Sequence, residues 1–224
     1  MVGRIALVGG DEFGPSCREM DTELLRATGK ANPRLLVIPT ASERNAVLAS
    51  NNGVTHFLDL GADAAPLLVT TAEEANDKAL ASQVDSADIV YFTGGNPAKL
   101  FDEIKDSLLL QKIKDLLQRD AILAGSSAGA MVLGSWMRFR EWRETLGIVP
   151  GVVALPHHER SKPEETSEEL ASSGHADLWA LGIDGATGCL SVPDGWTVLG
   201  GGWVTVYKNG KWQSYAAGET FNLS

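Results

Sequence analysis

The sequence has little of several features that would by themselves identify the class of protein. Its 224 residues include only two cysteines, Cys17 and Cys189, which lie far apart and lack metal-ligand spacing. We interpret them as free thiols, with a disulfide as the alternative. No apolar run is long enough to span a bilayer, and no basic segment leads into a hydrophobic one at the N-terminus. These absences favour a cytoplasmic protein without a membrane partner.

Positive charge is also scarce. The chain has 19 Lys and Arg against 29 Asp and Glu, a formal net charge of −10. Phosphate binding needs concentrated Lys and Arg, so we expect no nucleic-acid partner. Much of the acidity lies between Glu159 and Glu169. It indicates a solvated loop and helix face or, alternatively, carboxylates that draw a cationic substrate toward a nearby site.

No internal repeat, low-complexity tract or linker divides the chain. Residues 1–224 are therefore predicted to form one α/β domain, with an antiparallel β extension from about residue 188 to 224. Within that extension, turn residues at Asp194-Gly195, Gly200–Gly202 and Asn209-Gly210 separate β-branched runs and predict hairpins.

Apolar strands alternate with helical segments before residue 130. The predicted strands are Arg4–Val8, Arg34–Pro39, Val54–Leu60, Ala87–Phe92 and Ala121–Ala124. Thr40–Glu43 offers an N-cap to a following helix, and 97–117 has the spacing of one or two helices. This order predicts a mostly parallel sheet sandwiched by helices. Ligand sites in such sheets lie at the carboxyl ends of the strands.

The most informative motif is the Gly-x-Ser-x-Gly segment Gly125–Gly129, which follows an apolar strand and precedes a helix-compatible segment. A serine on such a strained turn exposes its hydroxyl, so Ser127 is the predicted nucleophile. The alternative is a Gly-rich turn without chemistry.

Histidine is the usual base for a serine nucleophile. His56 lies inside a predicted strand and is interpreted as structural, and His175 as a surface residue. His157 and His158 follow the predicted strand Val152–Leu155. Successive residues point in opposite directions, so one of them is the predicted base and the other lines the pocket or packs behind it.

A catalytic histidine needs an acidic partner. Glu141 and Glu144 lie in a strand-like segment, Trp136–Glu144. Glu141 would share a face with apolar residues and is the preferred candidate, with Glu144 as the alternative. The backbone N–H groups of Gly95 and Ala128 are predicted to form an oxyanion hole, and Asn96 to bind a polar substrate group.

With these motifs the chain resembles the serine-peptidase family of dipeptidase E and cyanophycinase. The matching segments are Ile38–Ser42, Phe92–Asn96, Gly125–Ala130, Leu146–Gly151 and Pro156-His157, and Gly182–Asp184 with the glycine-rich hairpin resembles the cyanophycinase branch. The resemblance implies a glutamine-amidotransferase-like α/β fold. It assigns the nucleophile to Ser127, the base to His157 and the oxyanion loop to Gly95 and Asn96.

The resemblance further implies that the acid lies after the elbow helix, where Glu141 and Glu144 stand. His158 takes an aromatic position of the family, and Arg160 is the one arginine near the histidine; both are candidate substrate-binding residues. Because the family usually has more arginines there, an acidic rim suits a substrate with a basic residue or a free amino group.

We therefore expect a serine exopeptidase for dipeptides or short peptides, working without a metal or organic cofactor. The alternatives are a cyanophycinase-like β-aspartyl peptidase, an esterase with the same triad, and a binding protein without turnover. A glutamine amidotransferase relative is disfavoured, because that chemistry uses Cys in place of Ser127. A homodimer is a further expectation.

Overall fold

A computed structural model describes residues 3–223 of the chain. The strands are β1 (Arg4–Val8), β2 (Arg34–Ile38), β3 (Asp63–Pro66), β4 (Ile89–Phe92), β5 (Ile122–Ser126), β6 (Trp136–Phe139), β7 (Glu141–Glu144), β8 (Val152–Pro156), β9 (Trp179–Ile183), β10 (Thr187–Val192), β11 (Gly195–Gly200), β12 (Trp203–Lys208), β13 (Lys211–Ala216) and β14 (Thr220–Phe221). The α-helices are α1 (Arg18–Ala27), α2 (Ala46–Asp59), α3 (Ala72–Ala75), α4 (Lys78–Ala81), α5 (Pro97–Ile104), α6 (Leu108–Leu116), α7 (Ala128–Leu133) and α8 (Pro163–Ser172).

The larger sheet, sheet A, has the strand order β14-β11-β10-β1-β5-β4-β2-β3. The strands β1 to β5 run parallel, and β10, β11 and β14 extend the β1 edge antiparallel. The predicted α/β fold with a mostly parallel sheet is confirmed. Because β1, β5 and β4 are neighbours, the loops after their carboxyl ends lie together at one end of sheet A. The predicted site residues Gly95 and Ser127 are in these loops.

Sheet A is buried on both faces, which explains why its strands are nearly continuous in apolar residues. Alternate residues belong to two separate cores. Ile5, Leu7 and Leu123 pack with α6, α7 and sheet B, whereas Ala6 and Val8 pack with α1 and α2. The parallel core is thus a rigid support for the loops at its edge.

A second sheet, sheet B, was not predicted as a separate layer. It has the order β13-β12-β9-β8-β6-β7, with β6, β8 and β9 parallel and the other pairs antiparallel. The hairpins at Asp194-Gly195 and Asn209-Gly210 are confirmed. The one predicted at Gly200–Gly202 is wrong, because this segment carries the chain from β11 in sheet A to β12 in sheet B.

The predicted strand Val54–Leu60 is also wrong. Residues 54–59 belong to α2, which buries Ser50, Gly53, His56 and Phe57 at helical spacing, and Leu60 is its C-cap. The predicted N-cap segment does not cap α2 either, because the helix begins only at Ala46. The region 97–117 forms two helices, α5 and α6, one of the two predicted outcomes.

Both cysteines are free and buried, as interpreted from the sequence. Burial raises the pKa of Cys17 to about 11 and also raises the pKa of Cys189. Over residues 3–223, the helices are all too short or too polar to cross a membrane.

Candidate active site

Ser127 lies in the sharp turn between β5 and α7, with φ 48° and ψ −105°. Such a backbone costs about 1–3 kcal/mol and persists only where packing enforces it. A Cβ on Gly125 would lie 2.5 Å from the carbonyl carbon of Gly129, and one on Gly129 would lie 2.6 Å from the Phe92 carbonyl oxygen. The Ser127 N–H donates to the carbonyl of Val8 at 2.9 Å. The two glycines therefore allow the close packing that holds the serine in its turn.

His157 follows β8 directly and has a left-handed backbone, φ 54° and ψ 40°. Its N–H donates to the Gly9 carbonyl at 2.9 Å. The ring lies on Gly10, where a Cβ would come within 2.2 Å of Cε1. His157 Nε2 is 3.3 Å from Ser127 Oγ. The structure thus brings the predicted nucleophile and base together, at the loose separation common in unliganded sites.

The structure does not bring Glu141 or Glu144 to this pair. A turn at Arg140, with φ 62°, folds the predicted single strand into the hairpin β6–β7. Glu141 does share a face with its opposite residue Phe139, but both glutamates are exposed on the edge strand. In the order β8-β6-β7 they stand two strand spacings, about 10 Å, from β8. The prediction that one of them partners His157 is therefore wrong.

The carboxylate beside the histidine is Asp11, in the loop after β1. Its Oδ1 is 3.9 Å from His157 Nδ1, too long for a hydrogen bond but within ion-pair range. No site residue was predicted in this loop, so Asp11 was missed. Two acidic residues directly after a glycine pair at a strand terminus were the available signal.

Glu12, the next residue, was missed as well. Its Oε1 accepts a hydrogen bond from the Gly94 N–H at 2.7 Å, and its Oε2 accepts one from the Ser126 hydroxyl at 2.8 Å. One carboxylate therefore joins the loop after β4 to the residue preceding the serine. This contact fixes the predicted oxyanion loop relative to the nucleophile.

Of the predicted oxyanion residues, Ala128 directly follows the serine, and Gly95 lies in the loop after β4, the strand beside β5. Gly95 is exposed with φ 137°, and Ala128 is the first residue of α7, where an N–H has no acceptor within the helix. Asn96 Oδ1 caps α5 by accepting from the N–H groups of Ala98 and Lys99, at 3.0 and 3.2 Å. Its Nδ2 donates to Glu43 at 2.6 Å. Asn96 is thus a helix cap in the structure, and its contact with substrate remains a prediction.

His158 points away from the site. It is 5% exposed, and its Nε2 is 2.6 Å from the Tyr207 hydroxyl. Burial lowers the pKa of His158, the charge of Arg138 lowers it further, and Glu159 opposes both. Its predicted substrate-binding role is wrong, because a ring buried against Tyr207 cannot reach substrate; of the two interpretations, packing behind the site is the correct one.

The structure also shows the positions of Arg160 and of the two other histidines. Arg160 is exposed, with Nε 3.1 Å from Glu159 Oε1, and its contact with substrate remains a prediction. His56 is buried, though in a helix rather than a strand. His175 is sandwiched between Trp136 and Trp142, with ring centroids 4.3 and 4.4 Å away, so it is not a simple surface residue.

The sequence model of peptidase family S51 matches residues 5–184. The chain belongs to peptidase family S51. It is 26% identical to a cyanophycinase of Geminocystis herdmanii over 94% of this chain and 82% of that protein. It is 28% identical to a cyanophycinase of Synechococcus elongatus over 91% of this chain and 67% of that protein.

Among solved structures, this S51 chain is similar to a peptidase from an acI-B1 actinobacterium. The TM-score is 0.87 at 29% identity, over 100% of this chain and 98% of that one. Within residues 3–223, no group of three or more His, Cys, Asp and Glu side chains is arranged to hold a metal ion.

Proposed function

We propose that this chain is a serine exopeptidase that hydrolyses dipeptides or short peptides through an acyl-enzyme on Ser127. The observation that carries the proposal is the 3.3 Å separation of Ser127 Oγ and His157 Nε2 on a strained strand-to-helix turn. Membership of a peptidase family supports it.

The reaction follows from this geometry. Ser127 Oγ attacks the peptide carbonyl carbon while its proton passes to His157 Nε2. The imidazolium then protonates the departing amine as the carbon–nitrogen bond breaks, leaving an ester on Ser127. Water attacks that ester and gives its proton to His157 Nε2. The carboxylic acid leaves, and the proton returns to the serine oxygen.

The negative charge on the carbonyl oxygen needs hydrogen-bond donors already in place. We assign them to the N–H groups of Gly95, in the loop after β4, and of Ala128, in the first turn of α7. Removing one such donor typically lowers kcat by about 10²- to 10³-fold. A rigid loop after β4 would keep the Gly95 N–H in place for this role, and the hydrogen bond from the Gly94 N–H to Glu12 supports such rigidity.

The second candidate is a β-aspartyl peptidase of the cyanophycinase type, which uses the same residues on a substrate with a basic group. The acidic side chains near His157 favour it. Glu159, two residues after His157, has a side chain that is 38% exposed, and Glu164 in the first turn of α8 is exposed as well. Such carboxylates attract a cationic group. Arg160 and Asn96 are the residues we expect at the other end of the substrate.

The decisive experiment replaces the nucleophile. Ser127→Ala should lower peptide hydrolysis by at least about 10⁴-fold while the protein stays folded. Ser172→Ala, at an exposed helix position, is the matched control and should retain full activity. Hydrolysis by Ser127→Ala at the wild-type rate would eliminate the serine mechanism.

Substrate class is tested separately with a panel of Asp-X dipeptides, other dipeptides, β-Asp-Arg and aryl esters. Preferential cleavage of β-Asp-Arg would favour the second candidate, and cleavage of esters alone would favour an esterase. Labelling by a serine-directed phosphonate at Ser127, absent from Ser127→Ala, argues against a binding protein without turnover. A folded protein whose serine stays unlabelled would support that alternative.

A further inference from the structure

The side of the His157 ring that faces away from the serine lacks a hydrogen-bond partner. Nδ1 is buried, and no group among residues 3–223 lies within hydrogen-bond distance of it. A histidine that passes protons through Nε2 needs an acceptor at Nδ1, which fixes the tautomer and stabilises the imidazolium. A carboxylate that approaches this nitrogen would supply the missing acceptor and also stabilise the positive charge of the imidazolium.

Most nearby carboxylates are already engaged. Glu159 Oε2 accepts the Gly185 N–H at 2.7 Å and its Oε1 faces Arg160 at 3.1 Å. Asp184 Oδ2 accepts the N–H of Trp203 at 3.0 Å. Each is thus held by at least one hydrogen bond to another part of the chain.

Asp11 is different. Its Oδ1 is 3.9 Å from His157 Nδ1, and within residues 3–223 its side-chain oxygens accept no hydrogen bond. The unpaired carboxylate and the unpaired nitrogen therefore face each other, about 1 Å beyond hydrogen-bond length. Unliganded sites often have such long contacts, which shorten when substrate binds.

The surrounding backbone holds Asp11 in this place. The residue has φ 57°, a left-handed conformation, and its carbonyl accepts the Cys17 thiol at 3.0 Å. Its carboxylate occupies the space beside Gly185, where a Cβ would lie 2.3 Å from Oδ2. A glycine at position 185 is thus needed for the carboxylate to lie beside the imidazole.

We propose that Asp11 is the acid that orients His157, reaching it from the loop after β1 rather than from the segment that follows the elbow helix. The proposal rests on the proposed serine mechanism. Asp11 acts through the histidine and touches no reacting atom, so it is a positioning residue. It should govern kcat and the reactivity of Ser127, with little effect on KM or on folding.

The first test compares Asp11→Asn with Asp194→Asn, an exposed acid in the β10–β11 turn. For Asp11→Asn we expect kcat to fall by about 10²-fold or more, and phosphonate labelling of Ser127 to slow in parallel. KM and the melting temperature should stay at wild-type values, and Asp194→Asn should match wild type throughout. An Asp11→Asn variant within threefold of wild-type kcat would overturn the proposal.

A second test moves the carboxylate to position 185. Asp11→Ala vacates the space, and Gly185→Asp or Gly185→Glu in that background places a new carboxylate there. Recovery of at least tenfold in kcat over Asp11→Ala by either double variant supports the proposal. The control Asp11→Ala with Gly185→Ala adds the Cβ alone and should recover nothing.

Equal recovery by that control, or no recovery in any double variant, would attribute the loss to the loop and overturn the proposal. Ser127→Ala separates this failure from failure of the mechanism itself. If Ser127→Ala is inactive while Asp11→Asn is fully active, only the role of Asp11 is lost. If Ser127→Ala is active, the serine mechanism is lost as well.

Discussion

Two of the four histidines lie beside an aspartate, and the two pairs differ in distance and in burial. His56 in α2 and Asp21 in α1 are 2.8 Å apart, with side chains 5% and 0% exposed. His157 and Asp11 are 3.9 Å apart, with side chains 31% and 53% exposed. The first pair lies among the rings of Phe13 and Phe57, and the second lies at the open edge of sheet A.

The comparison teaches that a short histidine–aspartate contact need not belong to a catalytic site. The Asp21–His56 bond joins two helices, and burial raises the pKa of Asp21 while the bond from His56 opposes that rise. We expect such a buried pair to stabilise the fold. In the proposed mechanism His157 instead exchanges protons with Ser127 and with water, which fits its solvent-accessible position and its longer contact with Asp11.

The strongest way to test this comparison is to break the buried pair. Asp21→Ala leaves a histidine nitrogen buried without its partner, which should cost about 3 kcal/mol of unfolding free energy. The melting temperature should then fall by about 6–12 °C. Urea unfolding at fixed pH measures the loss. Asp11→Ala, at an exposed position, should change the unfolding free energy by less than about 0.5 kcal/mol.

The control for the buried pair removes both partners. Asp21→Leu combined with His56→Phe replaces two polar groups by apolar ones among aromatic neighbours, and should recover part of the stability lost in Asp21→Ala. Equal stability of Asp21→Ala and wild type would contradict the assignment of this pair to folding.

The residues that were predicted correctly carry short-range signals. The strand before Ser127, the glycines around it and the position of His157 after β8 follow from local alternation and turn chemistry. The mostly parallel sheet follows from the alternation of strands and helices. Local pattern therefore located the two residues that we propose as nucleophile and base.

The predictions that failed depended on long-range pairing. Trp136–Glu144 has the alternation of one strand, and only the turn at Arg140 removes Glu141 from the site. The sequence predicted His158 as a second site residue, but Tyr207, on a strand about fifty residues later, covers its ring in the structure. Glu12 gains its partners only because β1, β5 and β4 are neighbours in sheet A, and Asp11 meets His157 only because the end of β8 in sheet B lies beside the loop after β1.

Glu12 adds a third acid to the comparison of Asp21 and Asp11. It lies beside Asp11 in the loop after β1, but both of its side-chain oxygens accept hydrogen bonds, one from the Gly94 N–H and one from the Ser126 hydroxyl. Glu12→Ala frees the oxyanion loop, and we expect kcat to fall by about 10- to 10²-fold. The loss of two half-buried hydrogen bonds should also cost about 1–2 kcal/mol of unfolding free energy. Steady-state kinetics and urea unfolding measure both effects.

Glu12→Gln is the matched variant. Its amide keeps one acceptor oxygen for the Gly94 N–H, and its NH₂ group can donate to the Ser126 oxygen. The loss of activity should therefore be smaller than in Glu12→Ala. Wild-type kcat in Glu12→Ala would mean that the bridge does not position the loop.

The smallest expected effect concerns His158, a histidine adjacent to the base but buried like His56. Its pKa is lowered in the folded protein by burial and by Arg138, against the opposing charge of Glu159, while its Nε2 faces the Tyr207 hydroxyl. Below about pH 6.5 the unfolded chain takes up a proton at this residue, and the folded protein does not until the pH falls below the lowered value. The unfolding free energy should therefore decrease as the pH falls through this window.

The decrease has a slope of at most about 1.4 kcal/mol per pH unit from this one group. His158→Gln keeps a polar partner for Tyr207 without titrating, and other groups titrate in both proteins, so they cancel in the difference. Urea unfolding from pH 8 to pH 5 should give two curves that diverge below pH 6.5, with wild type losing more stability. Parallel curves would mean that His158 is protonated as easily in the folded protein as in the unfolded chain. Burial would then not suppress protonation of His158, and the comparison of buried and exposed histidines would not apply to this residue.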